Sequence, residues 1–209
     1  MRILITAGPT REYFDTVRYI SNPSSGKMGY ALAAAAAARG HVVTLISGPV
    51  NLAPPAGVRT IHVVSAAEMA GAARSLWPRQ DAAIMTAAVC DYRPARRARR
   101  KMAKTAEPLA LKLVPTEDIA RSLGAAKHQG QILVGFAMED RAGRAHAESK
   151  LRRKNCDAIV LNHLASAGSD HTQVDVLMAG KAWLHWGRAR KERIAVRLIR
   201  LVERLSGRV

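Results

Sequence analysis

Short apolar runs alternate along this chain with longer segments whose apolar positions recur at helical spacing. Residues 2–6, 42–46, 60–64, 82–86, 131–136 and 157–161 read as buried strands bounded by turn residues. The segment at 27–39 is rich in alanine, which favours helix, and Gly40 ends it. Ser65-Ala66-Ala67-Glu68 fits a capping box and predicts a helix to about Trp77. Further helices are predicted from about Pro115-Thr116-Glu117-Asp118 and over 141–153. Strands and helices alternating in this way predict a Rossmann-like α/β fold, doubly wound, with a mainly parallel sheet covered by helices on both faces. Right-handed crossovers then bring the turn after the first strand, the stretch at 20–29 and the segment at 87–93 to one crevice.

Beyond Asn162 the pattern changes. Ala167-Gly168-Ser169-Asp170 reads as a loop, and residues 174–178 and 182–186 flank Ala179-Gly180 as a hairpin within a C-terminal extension at about 173–187. That hairpin either lengthens the sheet or pairs with a second subunit. A last helix is expected over 190–205, with Ile194, Leu198, Leu201, Val202 and Leu205 on its apolar side. Leu109, Leu111 and Leu113 alternate as in a strand, and the basic run at about 94–108 is expected to be a mobile flap. No internal repeat or second domain boundary is visible, so 1–209 is read as one domain.

The formal charge of +17, from 33 basic against 16 acidic residues, admits three readings. A nucleic-acid binder concentrates charge on one stripe and interleaves aromatics, whereas only 4% of this chain is aromatic and its basic residues are scattered. A polyanionic small substrate needs only a few lysines in one pocket. An arginine-biased surface accounts for most of the excess. Cys90 and Cys156 lack CxxC spacing and read as buried thiols, with neither a disulfide framework nor a zinc site. Without a membrane-length apolar run or a signal-peptide pattern at Met1-Arg2-Ile3-Leu4-Ile5-Thr6, the chain is expected to be soluble and cytoplasmic.

The stretch Ile20-Ser21-Asn22-Pro23-Ser24-Ser25-Gly26-Lys27-Met28-Gly29 leads into the alanine-rich helix. Its free amides and positive dipole end suit an anion. Alternatively Ser24 or Ser25 simply caps the helix. The familiar phosphate loops fail here: Met28 follows Gly26-Lys27 where a Walker loop needs Ser or Thr, and the first glycine of GxGxxG is missing. A P-loop NTPase is therefore disfavoured, an NAD(P)-binding reductase of Rossmann type stays as an alternative, and a basic nucleic-acid-binding module as a lesser one. No HExxH, GxSxG or paired-histidine metal pattern occurs.

Taken together, Ile5-Thr6-Ala7-Gly8-Pro9-Thr10-Arg11-Glu12, Val17-Arg18-Tyr19-Ile20-Ser21-Asn22, Ser24-Ser25-Gly26-Lys27-Met28-Gly29, Ala87-Ala88-Val89, Asp91-Tyr92-Arg93 and Val134-Gly135-Phe136-Ala137 resemble bacterial phosphopantothenoylcysteine synthetase over nearly the whole chain. The resemblance implies a ligase of coenzyme A biosynthesis. In that reaction 4′-phosphopantothenate and CTP give an acyl-cytidylate and pyrophosphate, and the amine of cysteine then displaces CMP. Carried over by position, Asn22 matches an asparagine that handles the acyl-cytidylate, its amide able to donate to a carbonyl oxygen gaining charge. Lys101 matches the lysine of the first half-reaction. The nucleotide is expected on Ser24, Ser25, Gly26, Ala87, Asp91, Lys101, Glu117, Asp118, Ile119, Phe136, Lys150 and Lys154. Mg²⁺ would accompany CTP, with Asp91 as its protein ligand or the triphosphate alone holding it, and no flavin is expected. Lys150 and Lys154, four apart, should share a helix face. The resemblance also implies a homodimer, and it leaves a separate phosphopantothenoylcysteine decarboxylase as a partner, because many relatives are fused to one. The chain departs from the family at Glu117, in Met138-Glu139-Asp140, at His163 and at Thr172, which concerns loop detail and nucleotide preference.

Overall fold

The computed structural model describes residues 1–139, 142–163 and 168–207. The expected helix start at Arg141, the loop residue Ala167 and the departure at Asp140 lie outside them. Six strands form the parallel part of the central sheet: β1 (Arg2–Ala7), β4 (Val42–Ser47), β5 (Arg59–His62), β6 (Ala82–Met85), β9 (Ile132–Met138) and β10 (Ala158–Asn162). Two antiparallel strands, β11 (His171–Met178) and β12 (Leu184–Arg190), complete an eight-stranded sheet of order β12-β11-β10-β9-β6-β1-β4-β5. The parallel pairs run β5 to β4, β4 to β1, β1 to β6, β6 to β9 and β9 to β10. The hairpin thus lengthens the sheet through the pairing of β11 with β10.

Alternation along β1 divides its side chains between two cores. Ile3, Ile5 and Ala7 join a cluster with α1 (Lys27–Ala38) and α5 (Lys191–Leu205) on one face. Leu4 joins the other cluster, with α2 (Ala66–Leu76), α3 (Ile119–Ala125) and α4 (Gly143–Arg153). Small side chains on α1, Ala33 and Ala36, let it pack closely, while Ile194, Leu198 and Leu201 of α5 are buried in the same cluster. Truncating one of these α5 leucines to alanine would cost about 2–5 kcal/mol. At one end of this layer Glu203 accepts from Arg39 Nε at 2.8 Å and Nη2 at 2.7 Å, and it lies 2.9 Å from His41 Nε2.

The predicted capping box is present: Ser65 Oγ accepts from Glu68 N at 3.2 Å, and the Glu68 carboxylate reaches back to Val64 N at 2.8 Å. Two sequence readings need correction. The loop expected at 11–18 belongs to a small antiparallel hairpin of β2 (Arg11–Tyr13) and β3 (Tyr19–Ser21). The leucine alternation at 109–113 yields only the short β8 (Leu113–Pro115), which pairs with β7 (Tyr92–Pro94) so that 95–112 projects as the tip of a second hairpin. Only Leu113 of the three leucines meets a partner strand, and Leu109 remains 53% exposed. Periodicity alone cannot supply that partner.

Candidate functional site

The strand order reverses at β1: β4 and β5 lie to one side, and the chain returns to place β6 on the other. Loops leaving the carboxyl ends of β1 and β6 therefore diverge and leave a crevice. A cleft of about 600 Å³ opens there, lined by Thr6, the segment 22–29, residues 85–89, Asp91, residues 116–120, residues 135–138, Lys150, Lys154, Asn162 and Lys191, among others. Every candidate named from the sequence lines this cleft except Lys101.

Two segments form its floor. The strand-like strap after β6 is stitched to the end of β1: Thr86 Oγ1 donates to Thr6 O at 2.5 Å, Ala87 N to Thr6 Oγ1 at 3.2 Å, Ala88 N to Gly8 O at 2.9 Å and Cys90 N to Thr10 Oγ1 at 2.9 Å. Asn22 locks the second segment onto the first, its Nδ2 donating to Ala88 O and Val89 O, both at 3.1 Å. Both amide hydrogens are thereby used in this structure. The donor expected for a reacting carbonyl instead fixes the wall beside it.

Helix α1 starts at Lys27, with Gly26 in the left-handed region at φ 74° as its N-cap and no side-chain hydrogen bond capping it. Ser24 Oγ accepts only from Gly26 N, at 3.4 Å. The serine cap is thus not realised, and the first-turn amides stay available at the cleft with the positive end of the dipole. Gly29 brings the helix onto the floor, since a Cβ there would stand 2.5 Å from Ala7 Cβ and 2.7 Å from Thr86 Oγ1.

Charge is distributed over two walls. On one, Lys150 and Lys154 do share a face of the cleft, Lys150 pairing with Glu139 and Lys154 with Asp118 at 3.0 Å. Asp118 is also the N-cap of α3, accepting from Arg121 N at 3.1 Å. On the other wall stand Lys27 and Lys191, the first residues of α1 and α5, which the sequence reading passed over. Nothing in the spacing of positions 27 and 191 connects them; the packing of α1 on α5 does.

Among the acids, the Glu117 carboxylate is held by Arg74, whose guanidinium keeps its pKa below the usual range. Burial opposes ionisation of Glu139, but the neighbouring Lys150 and His146 leave its pKa lowered. Asp91 is exposed and carries no ion pair among the described residues. Nor do the described residues include a group of three or more His, Cys, Asp or Glu arranged to hold a metal ion. A magnesium ion characteristically takes one or two carboxylates plus substrate phosphates, and Asp91 on this wall fits that role. Two departures from the family pattern have local reasons. Thr172 is buried and donates from Oγ1 to Asn162 Oδ1 at 2.7 Å, steadying a cleft residue, and Glu117 ties the loop before α3 to α2.

Lys101 is exposed and stands away from the cleft, on the tip between β7 and β8. That tip is fastened to the β2/β3 hairpin through Asp15, which is fully buried and accepts from Val17 N at 2.8 Å, Arg18 N at 2.7 Å, Arg18 Nε at 2.8 Å and Met102 N at 3.2 Å. Arg18 Nη2 closes the ring on Met102 O at 2.6 Å, and Ala98 N donates to Phe14 O at 2.9 Å. Burial alone would raise the Asp15 pKa, yet these hydrogen bonds hold it well below the ordinary carboxylate range. The sequence contained no signal for this clasp beyond the presence of an aspartate in a loop.

A cleft at the switch point, lined by the motif residues in chain order, is what the family comparison then explains. Residues 1–205 match the DFP family, the C-terminal domain of DNA/pantothenate metabolism flavoproteins. The chain belongs to this family. One DFP relative is the Coenzyme A biosynthesis bifunctional protein CoaBC of Vibrio parahaemolyticus, 47% identical over 175 residues, which are 83% of this chain and 44% of the relative. A protein named cysteine/cysteine sulfinic acid decarboxylase, from an unknown prokaryotic organism, is 48% identical over 169 residues, 80% of this chain and 47% of its own length. The chain thus spans about half the length of these curated relatives. Among solved structures, the C-terminal domain of a CoaBC protein superposes with a TM-score of 0.85 at 38% identity, covering 98% of this chain and 94% of that one. The DFP fold accounts for both the parallel sheet and its antiparallel extension. No helix among the described residues is long and apolar enough to cross a membrane.

Proposed function

We propose that the chain is a CTP-dependent phosphopantothenate–cysteine ligase, with residues 1–209 acting as one synthetase unit. The observation that carries this reading is the convergence of the motif residues on a single lysine-bearing cleft at the switch point of a DFP-family sheet. In the first half-reaction a carboxylate oxygen of 4′-phosphopantothenate attacks the α-phosphorus of CTP, the α–β phosphoanhydride bond breaks, and pyrophosphate leaves. In the second, the amine of cysteine attacks the acyl carbon, the acyl C–O bond breaks, CMP leaves with the electron pair, and the amine gives up a proton.

The base is placed between Phe136 and the strap at Ala87, with Ile119 closing the side. Lys150 and Lys154 face the nucleotide, and the first-turn amides of α1, presented by Ser24, Ser25 and Gly26, receive anionic oxygens. Mg²⁺ neutralises phosphate charge when it enters with CTP, and Asp91 is the carboxylate placed to meet it. Asn22 acts through the wall it holds, keeping Ala88 and Val89 in place beside the acyl-cytidylate. Lys101 offsets charge at the α-phosphate once the flap closes over the cleft.

The test is pyrophosphate release with 4′-phosphopantothenate, cysteine and Mg²⁺, run with CTP and ATP in parallel. Release with CTP in step with CMP and amide supports the assignment; release with neither nucleotide overturns it, and NADPH binding in that case favours the reductase reading. Lys101→Gln should slow the first half-reaction, so accumulation of acyl-cytidylate in that variant would contradict its role. The homodimer implied by the same resemblance is checked by sedimentation equilibrium.

A further inference from the structure

The wall formed by α1 and α5 holds a second cationic pair that the nucleotide contacts leave unassigned. Lys27 Nζ donates to Asp170 Oδ1 at 2.6 Å and to Gly168 O at 3.3 Å. Lys191 follows on the same short loop, its backbone N–H donating to Asp170 O at 2.9 Å. It is only 5% exposed, yet its side chain lines the cleft. Burial and then the nearby charge of Lys27 push its ammonium pKa down, against the pull of Asp170 and Glu192.

Two ammonium groups therefore meet beside a carboxylate whose side chain is 70% exposed. The opposite wall differs, because Lys150 and Lys154 each have a carboxylate of their own. Keeping a lysine charged while it is buried next to another lysine is unfavourable unless additional negative charge arrives. A phosphoryl group brings about −1.5 to −2 charge at neutral pH, with several strong acceptor oxygens. The uncapped amino end of α1, which begins at Lys27 itself, adds backbone donors on the same side.

We propose that Lys27 and Lys191 form a phosphoryl subsite of this cleft, and that Asp170 occupies Lys27 until an incoming phosphoryl group displaces it. The subsite deepens the ligase reading and rests on it for the identity of the ligand, whose phosphoryl group is either the distal part of the nucleoside triphosphate or the phosphate monoester of the acid substrate. The existence of the subsite does not depend on turnover.

Isothermal titration tests it on the full chain with inorganic pyrophosphate, and with two matched pairs of ligands: CTP against CMP, and 4′-phosphopantothenate against pantothenate. In Lys191→Gln and Lys27→Gln, loss of one charge-assisted hydrogen bond should weaken pyrophosphate about 10- to 100-fold. The same loss should appear in one member of one matched pair and not in the other. A selective loss for CTP assigns the triphosphate tail, and a selective loss for 4′-phosphopantothenate assigns the monoester. Unchanged binding across pyrophosphate and both pairs overturns the subsite. Asp170→Asn should tighten pyrophosphate several-fold by removing the competing anion; weaker binding would overturn the placeholder role. Because Lys191 is buried, Lys191→Met is measured beside it, with thermal melts of both, and Lys27→Gln on the more exposed residue reads the site even where the Lys191 variants do not fold. An enzyme that binds pyrophosphate in this manner but releases none from CTP or ATP would keep the subsite and refute the ligase reading.

Discussion

Adding one methyl group at Gly29 should damage catalysis far more than stability. Its Cβ would stand 2.5 Å from Ala7 Cβ and 2.7 Å from Thr86 Oγ1, whereas unstrained carbon contacts lie at about 3.5–4.0 Å. Relief of that overlap requires α1 to retreat from β1 by about 1 Å, taking its uncapped amino end with it. Overpacking of this kind costs about 1–3 kcal/mol, and alanine in place of a helical glycine returns about 1 kcal/mol. The net loss of about 0–2 kcal/mol corresponds to a fall in Tm of about 0–8 °C for a chain of this size. A displacement of about 1 Å at a reacting centre costs about 100-fold in rate. Gly29→Ala should therefore lower kcat/KM in the pyrophosphate-release assay by about two orders of magnitude while its calorimetric melt moves by only a few degrees. Gly71 provides the control: it sits inside α2 with nothing within 4 Å of an added Cβ, so Gly71→Ala should gain about 1 kcal/mol and keep full activity. Wild-type turnover in Gly29→Ala would refute the argument that this close approach sets the geometry of the cleft.

Asp15→Asn removes the acceptor that binds Met102 N and Arg18 together, so the 95–112 segment should exchange its amide hydrogens faster and be cut sooner by trypsin, while β1 and β6 keep their protection; unchanged protection at 95–112 would show that the clasp does not hold the flap. Glu203 has its pKa lowered, first by the hydrogen bonds from Arg39, so its contribution is complete above its unfolded pKa near 4.5 and is lost as pH falls through the folded value. The difference in melting temperature between wild type and Glu203→Gln should consequently be constant at neutral pH and shrink below about pH 4.5; a difference that persists undiminished at pH 3 would exclude this linkage. Burial raises the Cys156 thiol to about 11, so it should resist iodoacetamide at pH 8 in the folded chain and react once the chain is unfolded in guanidinium.

Much of the fold was legible because its strands are buried on both faces and its helices are amphipathic or alanine-rich, patterns that survive in one dimension. The alternation that places Ile3 and Ile5 in one core and Leu4 in the other follows from the period of two along β1. The capping box at Ser65 and Glu68 and the shared face of Lys150 and Lys154 are likewise local, since each depends on residues within one helical turn. The identity of the site residues came from strings compared as wholes, and the sheet order then placed those strings around one crevice.

Tertiary structure decided what joins positions remote in sequence. It showed that Asn22 spends its amide on Ala88 and Val89, that no serine caps α1, and that 109–112 stays out of the strand its leucines suggested. It also assembled two features with no sequence signal, the Asp15 clasp on Met102 and the meeting of Lys27 with Asp170 near Lys191. Each of these depends on hydrogen bonds or charges brought together across tens of residues. Hydrophobic periodicity records which side of a strand or helix is dry, and so it carries the layers and the core. It carries no record of which polar group will find which partner once those layers close, and that pairing sets the chemistry of the cleft.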